Sequence, residues 1–229
     1  MQRLDGTVCI FDLDGTLVDS APDLARALNR ALVREGLSAL PLDEVKALFG
    51  HGAEWLITAA FQAQGRDLSA DPERDRILET YLADYAAHIF KESRVFDGAV
   101  AALEALRRAG ATLAICTNKV ARLSLPLIEA AELDGFFDVI ISGDQLAERK
   151  PSPLPLNHIV ERTRAQNAIM IGDGYPDFGA ANAARIPALM ARSGYGKRDR
   201  RLADAVWFDD YATLHQAVIN ALMREEKQR

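Results

Sequence analysis

Short apolar runs alternate with helix-like stretches over most of the chain. Strand-like runs lie at 7–13, 112–116, 139–142, 168–171, 187–191 and 206–208. Helix-like stretches separate them, near 99–108, 121–131, 153–165 and 176–185, and another closes the chain. Strands that read as continuous apolar runs and alternate with helices are typical of a parallel sheet covered on both faces. The sequence therefore predicts an α/β fold with a Rossmann-like parallel sheet core.

The stretch from about 21 to 92 breaks this alternation. It has helical periodicity and no convincing strand, and one of its apolar stripes contains Leu24, Leu28 and Leu32. Asp71 and Pro72 are a typical N-cap and first helical residue. We therefore expect an all-helical domain at 21–92, inserted after the first strand, and a catalytic core formed by 1–20 and 93–229.

Composition excludes several classes of protein. The formal net charge is -6, which argues against nucleic acid as the main partner. No apolar run approaches the roughly 18 residues that a membrane span needs. Cys9 and Cys116 lie in apolar runs, where a buried free thiol is the expected state. The polar start of the chain is unlike a signal peptide. These features fit a cytoplasmic protein.

Polar side chains follow four of the predicted strands, at or soon after the point where each ends. They are Asp12, Asp14, Thr117, Asn118, Lys150, Asp173 and Asp177. In open α/β sheets, ligands bind outside the carboxyl ends of the strands. Clustered carboxylates need protons or cations between them, and oxygen ligands suit Mg²⁺. Because Lys, Thr and Asn donate hydrogen bonds suited to phosphate oxygens, the set indicates magnesium-assisted phosphoryl transfer.

Four short motifs in this set resemble those of the haloacid dehalogenase superfamily. The first is FDLDGTLVDS at 11–20, and Thr117-Asn118 resembles the second. Lys150-Pro151 resembles the third, and Gly172-Asp173 with Asp177 resembles the fourth. Within the superfamily, the stretches GHGAE at 50–54 and SGYG at 193–196 are most similar to phosphoglycolate phosphatases. The resemblance spans nearly the whole chain, including the helical insert, which such families call a cap.

The resemblance implies a role for each motif residue. Asp12 would attack phosphorus and become an aspartyl phosphate, and Asp14 would protonate the leaving oxygen and then deprotonate water. Magnesium would be held by the Asp12 side chain, the Asp14 backbone carbonyl and Asp173. The oxygens of the transferring group would be bound by Thr117, Asn118 and Lys150. Asp177 would orient Lys150 or a metal-bound water.

Two positions need separate comment. His51 lies between two glycines in the insert and is a candidate for contact with the substrate. Gly174 stands where the fourth motif usually has Ser or Thr, which predicts weaker metal binding because a hydroxyl near the metal is missing. A rival interpretation is that Gly174 has a positive backbone φ that favours glycine.

Three functional hypotheses remain open. The first is a phosphatase that acts on a small phosphorylated metabolite, as a monomer or a homodimer. The second is a sugar-phosphate mutase of the same superfamily, in which the aspartyl phosphate must outlive reorientation of the substrate. The third is a non-catalytic binding protein on this scaffold, but such a protein has no need to keep Asp12, Asp14 and Asp173 crowded together.

Overall fold

The computed structural model describes residues 3–50, 52–196 and 199–226. Its strands are β1 Thr7–Phe11, β2 Val18–Asp19, β3 Arg94–Val95, β4 Thr112–Cys116, β5 Val139–Ile141, β6 Asn167–Gly172, β7 Ala188–Ala191 and β8 Val206–Phe208. Its α-helices are α1 Ala21–Arg34, α2 Leu42–Lys46, α3 Ala53–Gln62, α4 Arg74–Ala86, α5 Ala99–Arg108, α6 Ala121–Ala130, α7 Leu154–Thr163, α8 Tyr175–Ala184 and α9 Leu214–Glu226. None of the helices in these described ranges has the length and apolar character needed to cross a membrane.

Six of the strands form one parallel sheet in the order β5-β4-β1-β6-β7-β8. This confirms the predicted α/β fold. Successive side chains of β1 point to opposite faces, and both faces are buried. Cys9 and Phe11 join an apolar cluster with α5 and α9, whereas Val8 and Ile10 join one with α7 and α8. Two helical layers therefore cover the sheet.

The direction of chain progression reverses at β1. From β1 the chain proceeds outward to β4 and β5, and then it crosses back to β6 on the other side of β1. In α/β sheets such a switch point leaves a crevice at the carboxyl ends of the strands. The crevice here is bordered by the loops that follow β1, β4 and β6.

Helices α1–α4 form the insert between β2 and β3, and they share an apolar cluster that also includes Leu123 of α6. Leu28, Phe61 and Tyr81 are buried there. The beginning of α4 differs from the prediction, because this helix starts at Arg74 rather than at Pro72. The Asp71 carboxylate accepts a hydrogen bond from the Glu73 backbone N–H at 2.8 Å, so it stabilises the turn before the helix instead of the helix itself.

A short antiparallel ribbon, β2–β3, joins the insert to the sheet domain, and the sequence pattern did not predict it. Beside it, the buried Asp23 carboxylate accepts hydrogen bonds from the backbone N–H groups of Glu92 and Ser93 at 2.9 and 2.8 Å. It also accepts one from Ser93 Oγ at 2.6 Å and pairs with Arg26 at 2.6 Å. These contacts bring the beginning and the end of the insert together.

Candidate active site

A cavity of about 310 Å³ lies between the carboxyl edge of the sheet and the insert. Six of the seven strand-end residues singled out from the sequence line it: Asp12, Asp14, Thr117, Asn118, Asp173 and Asp177. The seventh, Lys150, lies beside this wall and contacts Asp12 and Asp177. The opposite wall comes from the insert, including Phe49, Gly50 and Leu56. The structure thus brings these seven residues to one place.

Lys150 lies between two carboxylates. Its Nζ is 3.1 Å from Asp12 Oδ1 and 2.6 Å from Asp177 Oδ1, and it also donates to the Cys116 carbonyl oxygen. Burial raises the pKa of Asp12 to about 7, and the Lys150 charge opposes that rise. Burial disfavours the Lys150 ammonium, but Asp12 and Asp177 more than offset it and raise the pKa of Lys150 above its ordinary value. Lys150 therefore remains a buried cation beside Asp12.

Three carboxylates, those of Asp12, Asp173 and Asp177, each offer an oxygen atom within 4.8 Å of the others. Asp177 has both oxygens engaged, since Oδ1 accepts from Lys150 and Oδ2 accepts from the backbone N–H groups of Asp173 and Gly174 at 3.2 and 3.1 Å. The pKa of Asp173 is raised well above its usual range, mainly by burial and secondly by the negative charges of Asp177 and Asp12. Such a cluster suits a hard divalent cation. Asp12 and Asp173 are the side chains with a carboxylate oxygen available as a metal ligand.

Asp173 is enclosed by two glycine-containing loops. The Tyr195 backbone N–H donates to Asp173 Oδ2 at 2.6 Å. A Cβ at Gly194 would lie 2.2 Å from Asp173 Cβ, and one at Gly15 would lie 2.5 Å from Asp173 Oδ2. Gly15 also has φ +83°, a conformation that favours glycine. Only residues without side chains let both loops approach this carboxylate so closely.

Asp14 is not part of that cluster and contacts a second lysine. Lys119 Nζ lies 2.9 and 3.0 Å from the two Asp14 carboxylate oxygens, and Ser20 Oγ donates to Oδ1. The same ammonium donates to Tyr85 Oη at 2.9 Å, on helix α4 of the insert. The sequence reading did not assign a role to Lys119, although it follows Thr117 by two residues in the same strand-end loop. The Asp14 carboxylate is thus linked to the insert through Lys119.

The loop after β4 holds Thr117 and Asn118. Thr117 is buried, and its Oγ1 accepts a hydrogen bond from the Lys119 backbone N–H at 3.1 Å. The Asn118 side-chain amide donates to the carbonyl oxygens of Gly50 and Lys150, at 3.1 and 2.9 Å. No acceptor within 3–50, 52–196 or 199–226 takes the Asn118 backbone N–H. That backbone group, rather than the side chain, is free to donate to a ligand.

Two further positions need comment. His51 lies outside the described residues, although its neighbours Gly50 and Gly52 line the cavity. Tyr195 belongs to the stretch SGYG, and no role of its own was predicted for it from the sequence. Its hydroxyl accepts a hydrogen bond from the Ala21 N–H at 3.1 Å and donates one to Asp19 Oδ1 at 3.0 Å. Nothing in a single sequence indicates these contacts, because they join residues more than 170 positions apart.

Gly174 has an extended backbone, with φ -123° and ψ 170°. The rival interpretation, that a positive φ requires glycine here, is therefore wrong. A Cβ at Gly174 would lie 3.4 Å from Pro176 Cδ and 3.9 Å from Asp177 Oδ2, which are ordinary contact distances. A serine therefore fits this position without strain.

Comparisons with known proteins agree with this geometry. The family model described as haloacid dehalogenase-like hydrolase matches residues 9–191. The phosphoglycolate phosphatase of Agrobacterium fabrum is 36% identical over 219 residues, which cover 94% of each chain. That of Mesorhizobium japonicum is 40% identical over 85% of this chain and 86% of its own. The crystal structure of a predicted phosphoglycolate phosphatase from Haemophilus somnus has a TM-score of 0.84 at 28% identity, covering 92% of this chain and 97% of that one.

Proposed function

Because the chain belongs to the haloacid dehalogenase-like hydrolase family, we propose that it is a magnesium-dependent phosphatase acting on small phosphate monoesters such as 2-phosphoglycolate. The observation that carries this proposal is the placement of Asp12, which lies against the buried Lys150 and opens onto the same cavity as Asp14 and Asp173. The substrate class is carried over from relatives that are phosphoglycolate phosphatases.

Asp12 and Asp173 would hold the magnesium ion with their side chains, together with the backbone carbonyl of Asp14. When bound, magnesium neutralises the carboxylates and lets an anionic nucleophile approach an anionic phosphate. Asp177 supports this set indirectly, since it fixes the Lys150 ammonium and the backbone at Asp173. The raised pKa values of Asp12 and Asp173 fit a site built for a cation, because a bound cation favours their charged forms.

The first chemical step forms an aspartyl phosphate. Asp12 Oδ1 accepts one hydrogen bond from the Leu13 backbone N–H at 2.7 Å and also contacts Lys150. We therefore assign Asp12 Oδ2 as the atom that attacks phosphorus. The Asp12 Oδ2–phosphorus bond forms as the bond from phosphorus to the ester oxygen breaks. Asp14 gives its proton to the departing oxygen, which leaves as an alcohol. Lys150 and the Asn118 backbone N–H stabilise the charge on the transferring oxygens.

The second step releases phosphate. Asp14, now a carboxylate, takes a proton from water as that water attacks phosphorus. The Asp12 oxygen–phosphorus bond breaks, Asp12 returns to its carboxylate form and inorganic phosphate leaves. The insert, which we place at 21–92 against a core of 1–20 and 93–229, acts as a cap that excludes bulk water. Its direct contacts with the core loops, from Gly50 to Asn118 and from Tyr85 to Lys119, support this role.

The test is turnover of p-nitrophenyl phosphate and 2-phosphoglycolate with magnesium and with a chelator. We expect Asp12→Asn to lose several orders of magnitude in rate. Asp75→Asn is the matched control, because that carboxylate is exposed on α4 and should tolerate the change. Hydroxylamine added to quenched wild-type enzyme should convert Asp12 to a hydroxamate that mass spectrometry detects.

Three results would contradict the proposal: full activity with the chelator, no hydroxamate on Asp12, or an Asp12→Asn variant within tenfold of wild type. The mutase alternative is tested in the same reaction. A phosphatase releases one inorganic phosphate for each ester consumed, whereas a mutase conserves the ester.

A further inference from the structure

The insert contributes a lysine to the cavity wall. Lys46, the last residue of α2, lines the same cavity as Asp12, Asp14 and Asp173. Its Nζ lies 5.9 Å from the centre of the Tyr195 ring. It comes from the side of the cavity opposite the nucleophile, where the part of a substrate remote from its phosphate would lie.

Lys46 differs from the other lysines of the site in what it contacts. Lys150 is paired with Asp12 and Asp177, and Lys119 is paired with Asp14. Within the described ranges, no carboxylate lies at ion-pair distance from Lys46. Its ammonium contacts the face of an aromatic ring, which attracts an ammonium less strongly than a carboxylate oxygen does.

The Tyr195 ring holds this cation at a defined place. The Tyr195 backbone N–H donates to Asp173, and its hydroxyl donates to Asp19. The ring also packs edge-on against Phe49, with the ring centres 5.1 Å apart. The residue under Lys46 is thus fixed to the carboxylate that we assign to magnesium. Lys46 and Asp173 thus face the same cavity, one from the insert and one from the edge of the sheet.

We propose that Lys46 binds a carboxylate at the far end of the substrate and so makes the enzyme selective for phosphate esters that carry one. This inference rests on the proposed phosphatase activity and adds the residue that distinguishes among small esters. A single ammonium beside an aromatic ring suits the single charge of a carboxylate. The other two lysines at the site are already engaged, since Lys119 contacts Asp14 and Lys150 is shared by Asp12 and Asp177.

The experiment compares 2-phosphoglycolate with ethyl phosphate, an ester of similar size that lacks the carboxylate. We expect Lys46→Met to lower the ratio of kcat/KM for phosphoglycolate to that for ethyl phosphate by about ten- to a hundredfold, mainly through KM. Lys46→Arg should retain most of the ratio, and Lys46→Glu should favour phosphoethanolamine, whose far end is cationic. Lys91→Met, which removes an exposed lysine after α4, is the control for net charge.

A ratio that Lys46→Met leaves within twofold of wild type would overturn the inference, as would an equal change in the Lys91→Met control. A wild-type enzyme that hydrolyses both esters equally well would also overturn it, while leaving the phosphatase proposal intact. Failure to hydrolyse p-nitrophenyl phosphate with magnesium would instead contradict the proposed function. Thermal melts of each variant identify any loss of ratio that comes from unfolding.

Discussion

The buried ammonium of Lys150 offers a sharp test of how the site is stabilised. At the observed distances of 3.1 and 2.6 Å, an effective dielectric constant of about 20 gives attractions of about 5 and 6 kcal/mol to Asp12 and Asp177. Desolvation of the ammonium offsets several kcal/mol of this sum, and a methionine at position 150 would avoid that desolvation because it is uncharged. Removing one partner of a buried pair typically costs about 3–5 kcal/mol, because a buried charge is left uncompensated. We expect Lys150→Met to cost about that much.

Thermal denaturation followed by circular dichroism, in a chelator at about pH 8, measures this cost. For a chain of this length, about 3–5 kcal/mol corresponds to a fall in Tm of roughly 6–20 °C. A carboxyl group with a raised folded-state pKa stabilises the fold below its unfolded pKa and loses that contribution as the pH rises through the folded value. Burial already raises the pKa of Asp12 to about 7, and losing Lys150 raises it further. The deficit should therefore shrink as the pH falls from about 8 to about 5.

A second substitution distinguishes charge from packing. Lys150→Met combined with Asp177→Asn removes one of the two stranded carboxylates and should melt higher than Lys150→Met alone. Lys91→Met, at an exposed position, should leave Tm unchanged. If Lys150→Met melts within about 2 °C of wild type at pH 8, or if its deficit does not depend on pH, the electrostatic account of this cluster is wrong.

Glycines of the site give two further predictions. Gly174→Ser should raise stability by a few tenths of a kcal/mol, because its hydroxyl can cap α8, and it should tighten magnesium several-fold, because the same hydroxyl lies near the metal. The new Cβ has room, since the nearest atom, Pro176 Cδ, is 3.4 Å away. A melting curve and a magnesium titration of activity test this, and weaker magnesium dependence in a normally folded variant would contradict it. Gly194→Ala should lower Tm and weaken magnesium at least tenfold, because its Cβ would lie 2.2 Å from that of Asp173. Gly135→Ala, where no atom lies within 4 Å of the new Cβ, is the control, and equal behaviour of the two alanine variants would refute the steric argument.

The sequence allowed the sheet and the strand-end residues to be predicted because both depend on local patterns. Apolar runs of three to seven residues mark buried strands, and parallel strands necessarily bring their carboxyl ends to one edge. Asp12, Thr117 and Asp173 follow strands that the structure aligns side by side. The roles proposed for these residues remain predictions until the variants are assayed.

Other features depend on contacts that no local pattern reveals. Strands β2 and β3 have two residues each and α2 has five, too few for a period of 2 or 3.6 to be seen. The Lys119–Asp14 pair joins residues 105 positions apart, and Lys46 meets Tyr195 only after the insert has folded over the sheet. The start of α4 was misplaced because Asp71 bonds to a backbone N–H in the preceding turn, which looks the same in sequence as a helix cap.

The ribbon β2–β3 also bears on how such a chain can be rebuilt over generations. The two connections between the sheet domain and the helices lie side by side in this ribbon. Asp23 links them through hydrogen bonds from the backbone N–H groups of Glu92 and Ser93. The helices therefore form a module whose entry and exit coincide, so its genetic exchange would add or remove residues at a single point of the sheet domain. New substrate preferences can then be acquired by replacing one contiguous block of DNA, while Asp12, Asp173 and Lys150 stay on the part that is not replaced.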